Sequence, residues 1–116
     1  MKGGVFVYAI QESKVKVNGE MVPTFCRSVR EGDVTMLVEA GTTGYRGGDD
    51  RDSGGRTYVS LLCCAGDFLL SPVHDKYGRL AGVEISLCGD AALDAMTQTL
   101  VFARKALDDQ RRCAED

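Results

Sequence analysis

Residues 41–58, Gly41-Thr42-Thr43-Gly44-Tyr45-Arg46-Gly47-Gly48-Asp49-Asp50-Arg51-Asp52-Ser53-Gly54-Gly55-Arg56-Thr57-Tyr58, divide the chain. They hold six of its 14 glycines, together with three arginines, three aspartates and two tyrosines. Glycine loses more conformational freedom on ordering than any other residue and brings no side chain to bury. A long helix cannot run through such a segment. Strand-like runs flank it, Val34 to Ala40 before and Arg56 to Cys64 after. The chain must therefore fold as short strands around a glycine-rich connection. If that connection is ordered, a tight backbone path, a ligand or a partner has to offset the entropy.

The remaining strands follow from alternation and turn chemistry. Residues 3–11 read as a strand apolar on both faces, with Val5, Val7 and Ala9 opposite Phe6, Tyr8 and Ile10. In Lys14-Val15-Lys16-Val17 the valines point inward, and Asn18-Gly19 suits a type I′ turn. The return strand, Glu20 to Val29, contains Pro23, which predicts an edge strand or a bulge. Glu31-Gly32-Asp33, Ala65-Gly66-Asp67 and Asp75-Lys76-Tyr77-Gly78 read as turns, with strands over Phe68 to Val73 and Arg79 to Cys88.

Gly89-Asp90 opens the single helical pattern, with Asp90 a suitable N-cap. Leu93, Met96, Leu100, Ala103 and Leu107 recur at spacings of three and four and predict the buried stripe, widened by Val101 and Phe102. Arg111 and Arg112 suit the negative end of the helix dipole. The expected fold is α+β, an antiparallel meander of about six strands with one C-terminal helix of roughly 20 residues packed on a face. All 116 residues form one domain: N-terminal strands over 3–40, the glycine-rich segment 41–58, strands over 59–88 and a helix over 90–112.

A net charge of −3 argues against general nucleic-acid binding. No apolar run approaches the ~18 residues of a membrane span, and the six-residue run from Val5 to Ile10 has no cleavage pattern after it. The expected location is cytoplasmic. The five cysteines, Cys26, Cys63, Cys64, Cys88 and Cys113, are odd in number and form no C-x-x-C. They read as reduced thiols, mostly packed as small apolar groups.

Functionally, the glycine-rich segment describes a cradle for a phosphate-bearing, nucleotide-like molecule. Glycines let successive N–H groups converge on an anion. Arg46, Arg51 and Arg56 would hold phosphate with forked donors. Tyr45 and Tyr58 would stack on a base, Thr42, Thr43, Ser53 and Thr57 would meet a sugar, and Asp49 would accept from a ribose hydroxyl. Gly47 and Gly48 would permit close backbone approach. The segment is neither a P-loop nor a dinucleotide fingerprint, since no Lys follows and a strand, not a helix, comes next. The competing reading is a solvated loop whose arginines and aspartates pair with each other. Asp50-x-Asp52-x-Gly54 offers a poor calcium loop, crowded by arginines. Catalysis has little to work with: His74 is the one histidine, and Cys63 and Cys64 lie in an apolar run that raises thiol pKa. No cofactor and no metal are expected.

The motifs Gly41-Thr42-x-Gly44-Tyr45-x-Gly47-Gly48-Asp49, Gly54-Gly55-Arg56-Thr57-Tyr58 and the closing strand–Gly89-Asp90–helix resemble a family of short proteins encoded by bacteriophages and integrative elements of bacteria. The resemblance covers residues 34–110. Where that family often has Ser-Gly-His-Gly-Gly in the linker, this chain has Asp50-Arg51-Asp52-Ser53-Gly54-Gly55 and so lacks the histidine. The resemblance implies a non-catalytic anti-defence protein that sequesters a nucleotide-derived immune signal. The alternative is an inhibitor that binds a bacterial defence protein through its tyrosine–arginine loop, and a small enzyme is a third reading. A strand apolar on both faces and an amphipathic helix in so short a chain predict a homo-oligomer.

Overall fold

The computed structural model describes residues 10–46 and 54–115, with side chains to residue 111. Six antiparallel strands precede one helix: β1 (Gln11–Val17), β2 (Glu20–Glu31), β3 (Val34–Thr42), β4 (Thr57–Ala65), β5 (Phe68–His74), β6 (Leu80–Leu87) and α1 (Asp90–Glu115). The fold is α+β with the helix packed on the sheet, as the residue pattern implies. Most of the apolar run 3–11 lies outside the described residues.

The strands form two sheets rather than one meander. β1 to β4 pair in chain order, and β5 pairs only with β6. The division falls at Gly66, whose φ of 125° turns the chain after β4. A register shift between Thr35 and Met36 lies opposite the end of β4 and adds a kink at the same place. The tighter turns match their residues. Asn18 and Gly19 take φ of 47° and 82°, the pair of positive angles that a type I′ turn requires. At the β5–β6 tip the Asp75 carboxylate accepts from the backbone N–H groups of Tyr77 (2.8 Å) and Arg79 (3.0 Å). Those bonds, that of Arg79 foremost, hold its pKa below the ordinary carboxylate value.

Pro23 corrects the expectation of an edge strand, because β2 lies inside the sheet between β1 and β3. The proline is tolerated because the β2–β3 ladder stops one residue short of it, at Thr24 opposite Gly41. The gap is filled from the helix. The Gln110 side chain accepts from the Thr42 N–H (3.0 Å) and donates to the Pro23 carbonyl (2.8 Å). One amide thereby satisfies the backbone groups that a continued ladder would have paired. Gln110→Ala should lower stability by about 1–3 kcal/mol, since it leaves two backbone groups without that partner. A urea unfolding midpoint would read the loss, and an unchanged midpoint would show the bridge to be dispensable.

The helix rests on β2 and β3 over a core of Val29, Val34, Met36, Ala92 and Ala95. Its buried line is Ala92, Ala95, Thr99, Phe102 and Ala106. This corrects the expected stripe of Leu93, Met96, Leu100, Ala103 and Leu107, of which Met96 packs at the margin of the core, while Phe102, expected to widen the stripe, is buried. The spacing is the same, but the helix is turned by one residue, about 100°. Small residues face the sheet, which lets the helix axis approach closely, while Leu93, Leu100 and Val101 stay exposed. The helix is also longer than expected, at 26 residues.

Candidate functional site

The glycine-rich segment is partly strand. Gly41 and Thr42 end β3, and Thr57 and Tyr58 begin β4. Beyond them the two limbs stay joined by Thr43 N–H to the Arg56 carbonyl (2.9 Å) and by Arg56 N–H to Thr43 Oγ1 (2.8 Å). Gly44 and Gly54 adopt φ of 83° and 71°, angles that an L side chain resists. The Thr42 hydroxyl lies near the Arg56 carbonyl (3.1 Å) and Thr57 Oγ1 (2.9 Å), and it accepts from Gly44 N–H (3.0 Å). The foot of the segment is therefore a built structure.

The C-terminal end of α1 lies across this foot. Between them opens a cleft of about 580 Å3, lined by Thr42, Gly44, Tyr45, Arg46, Gly54, Gly55 and Thr57 on one side and Leu107, Asp108 and Arg111 on the other. Arg111 spans the mouth. It donates to the Tyr45 hydroxyl (3.2 Å), lies 5.7 Å from that ring's centroid, and pairs with Asp108 (3.2 Å). Arg46 pairs with Glu20 of β2. Arg56 turns toward the same Glu20 (3.9 Å) and donates to the Gly54 carbonyl (2.7 Å). Its Nε is buried without an acceptor among the described residues.

Of the expected ligand-binding residues, Thr42, Tyr45, Arg46 and Thr57 line this cleft. Thr43 and Arg56 support its foot, with the Arg56 side chain largely covered. Tyr58 pairs with Gly41 next along β4 and does not line the cleft. Gly47, Gly48, Asp49, Arg51 and Ser53 lie outside the described residues, as do Asp50 and Asp52 of the calcium reading. Asp108 and Arg111 escaped the sequence reading because they sit on a face of the helix that looks solvent-directed by pattern. Only the crossing of helix and segment brings them to the site.

No catalytic constellation assembles among the described residues. His74 is exposed at the end of β5, in a different sheet from Cys63 and Cys64 of β4. Burial pushes the Cys63 thiol up, with Cys64 adding to the shift, and burial beside Glu39 pushes Cys26 up. Neither is an activated nucleophile. The cysteines are less packed than expected: Cys26 and Cys63 are half-buried, but Cys64 and Cys88 are exposed. Among the described residues no group of three or more His, Cys, Asp or Glu could hold a metal ion. None of the described helices is long and apolar enough to cross a membrane.

A second, apolar groove of about 500 Å3 lies on the other flank of the helix, beside Ile10, Phe25, Val101 and Phe102. None of the expected ligand-binding residues lines it. No family model, curated protein or solved structure matches the chain.

Proposed function

We propose that the chain is a non-catalytic binder of a small phosphate-bearing, nucleotide-like molecule, taken up in the cleft between the glycine-rich segment and the end of α1. The observation that carries this reading is the juxtaposition of Arg46, Tyr45 and Arg111 around one opening. A guanidinium has five donors in a fixed fork, so one carboxylate partner does not exhaust it. Tyr45 is 63% exposed and offers a ring face for a base. Thr57 is exposed in the cleft with a hydroxyl of the kind that meets a sugar, and the buried Thr42 hydroxyl lies 2.9 Å behind it. Glu20 and Asp108 hold the guanidiniums in place before a ligand arrives. In this reading the ligand is sequestered rather than converted, which suits the cytoplasmic anti-defence role that the resemblance to phage-encoded proteins implies.

The test is calorimetric titration with cyclic nucleotides and ADP-ribose derivatives, followed by recovery of the ligand. One of them should bind and return chemically unchanged. Arg111→Ala should weaken that binding about tenfold or more, equivalent to ~1.4 kcal/mol. Binding that ignores Arg111→Ala, or a ligand recovered altered, would defeat the reading. The alternative, an inhibitor of a defence protein, draws on the same exposed Tyr45 and Arg46, residue types common at interface anchors. Failure of every nucleotide to bind would favour it.

A further inference from the structure

The β5–β6 hairpin stands as an arm. Neither strand packs extensively on any other element, and its base is tied by Leu87 at the margin of the core and by Cys88 N–H to the Asp67 carbonyl (3.2 Å). Its register sorts the side chains into two faces. Phe68, Leu70 and Pro72 share one face with Val83, Ile85 and Leu87, and all six are apolar. The other face is mixed, with Leu69, Ser71 and Val73 opposite Ser86, Glu84 and Gly82. Along the apolar face Leu70 is 49% and Val83 60% exposed. A lone two-stranded hairpin is marginally stable in water, and an apolar face of this kind marks a contact surface.

The chain also carries the complement. The helix covers β2 and β3 but stops short of β4. Val59 lies on the helix-side face of β4, in one row with Leu61 and Cys63, and is 55% exposed. On the helix Leu93 and Leu100 are exposed as well, in one row with Leu107, which lines the cleft together with Thr57 of β4. β4 also ends its sheet, so its outer backbone edge has no strand partner among the described residues. Among the described residues nothing apolar covers the arm, and each of its strands has an outer edge to pair. Among the described residues the trough beside β4 has neither an apolar filling nor a neighbouring strand. The lengths agree: nine residues in β4 against seven and eight in the arm. The turn at Gly66 directs each arm away from its own β4, so the complement is met on a second copy.

We propose that the protein is a two-fold homodimer held by exchange of these arms. Each arm lays Leu70 and Val83 over Val59 and Leu100 of the other copy, and one of its strands extends that copy's β4 edge. Two-fold symmetry makes the exchange reciprocal and closed, so the arm and the trough of each chain are covered at once. The inference rests on exposure and strand edges and is independent of what the polar cleft binds.

Sedimentation equilibrium of the full chain should give twice the chain mass. Val83→Glu on the arm and, separately, Val59→Glu in the trough should each give a monomer with an unchanged far-UV spectrum, because both positions are exposed and leave the core intact. Should either variant lose its helical signal, the milder Leu70→Gln and Leu100→Gln must split the dimer in the same way. A wild-type chain that sediments as a monomer overturns the proposal. So does a dimer that survives a folded variant on either side, since the arm and the trough are each required.

Discussion

Gly41→Ala should lower stability by about 3 kcal/mol or more, a large part of the 5–15 kcal/mol typical of a domain. The cause is steric and local to the sheet. Gly41 has no unusual φ, so glycine is not needed there for its conformational range. A Cβ at this position would lie 2.1 Å from the Pro23 carbonyl oxygen and 2.8 Å from both Cα and Cγ2 of Thr24. Two of those atoms are backbone, and no side-chain rotation clears them. Relief requires β2 and β3 to separate at the point where Pro23 has already ended the ladder and Gln110 bridges the gap. The check is a chemical denaturation curve, with Gly82→Ala as the control, since nothing lies within 4 Å of a Cβ there. The control should stay within about 1 kcal/mol of wild type. A Gly41→Ala protein as stable as that control would mean the strands part freely.

Met36→Ala should cost about 3–5 kcal/mol, toward the upper end for truncation of a large core side chain. Met36 is fully buried near the start of β3, and its sulfur accepts from the Thr99 hydroxyl (3.9 Å). Its neighbours explain the size of the effect. Ala92 and Ala95 face it from the helix and have no reach with which to refill the space. Filling the space takes a shift of Leu61 or Met96 at the margin of the core or a sinking of the whole helix, and Gln110 holds the far end of the helix at the height of Thr42 and Pro23. Met36→Leu, nearly equal in volume, should cost less than about 1.5 kcal/mol. Equal losses for the two variants would show that truncation leaves no lasting cavity.

The contrast between these residues shows what could be read from the chain. Alternation in Lys14 to Val17, the Asn18-Gly19 turn and Gly89-Asp90 before a helical repeat are local signals, and each marks its element. The helical stripe is a different case. Leu93-Met96-Leu100 and Ala92-Ala95-Thr99 have the same period, and periodicity cannot say which of two adjacent rows faces inward. Bulk and hydrophobicity favoured the leucines. Close helix–sheet packing favoured the alanines, because small side chains let the helix settle on Val29, Val34 and Met36. Likewise Pro23 signalled an interruption in hydrogen bonding, but not that a glutamine 87 residues further on would close it.

The amino-acid sequence by itself determined the α+β class, the turns and the place of the glycine-rich break, because each depends on neighbours within a few residues. Which face of the helix is buried, where the hairpin leaves the main sheet, and which residues meet Arg46 and Tyr45 across the cleft were decided only by the tertiary structure. Those outcomes depend on how closely two surfaces can approach and on groups such as Glu20, Asp108 and Arg111 that are far apart along the chain. Distance in space between such groups is set by packing, and packing leaves no mark in a local pattern.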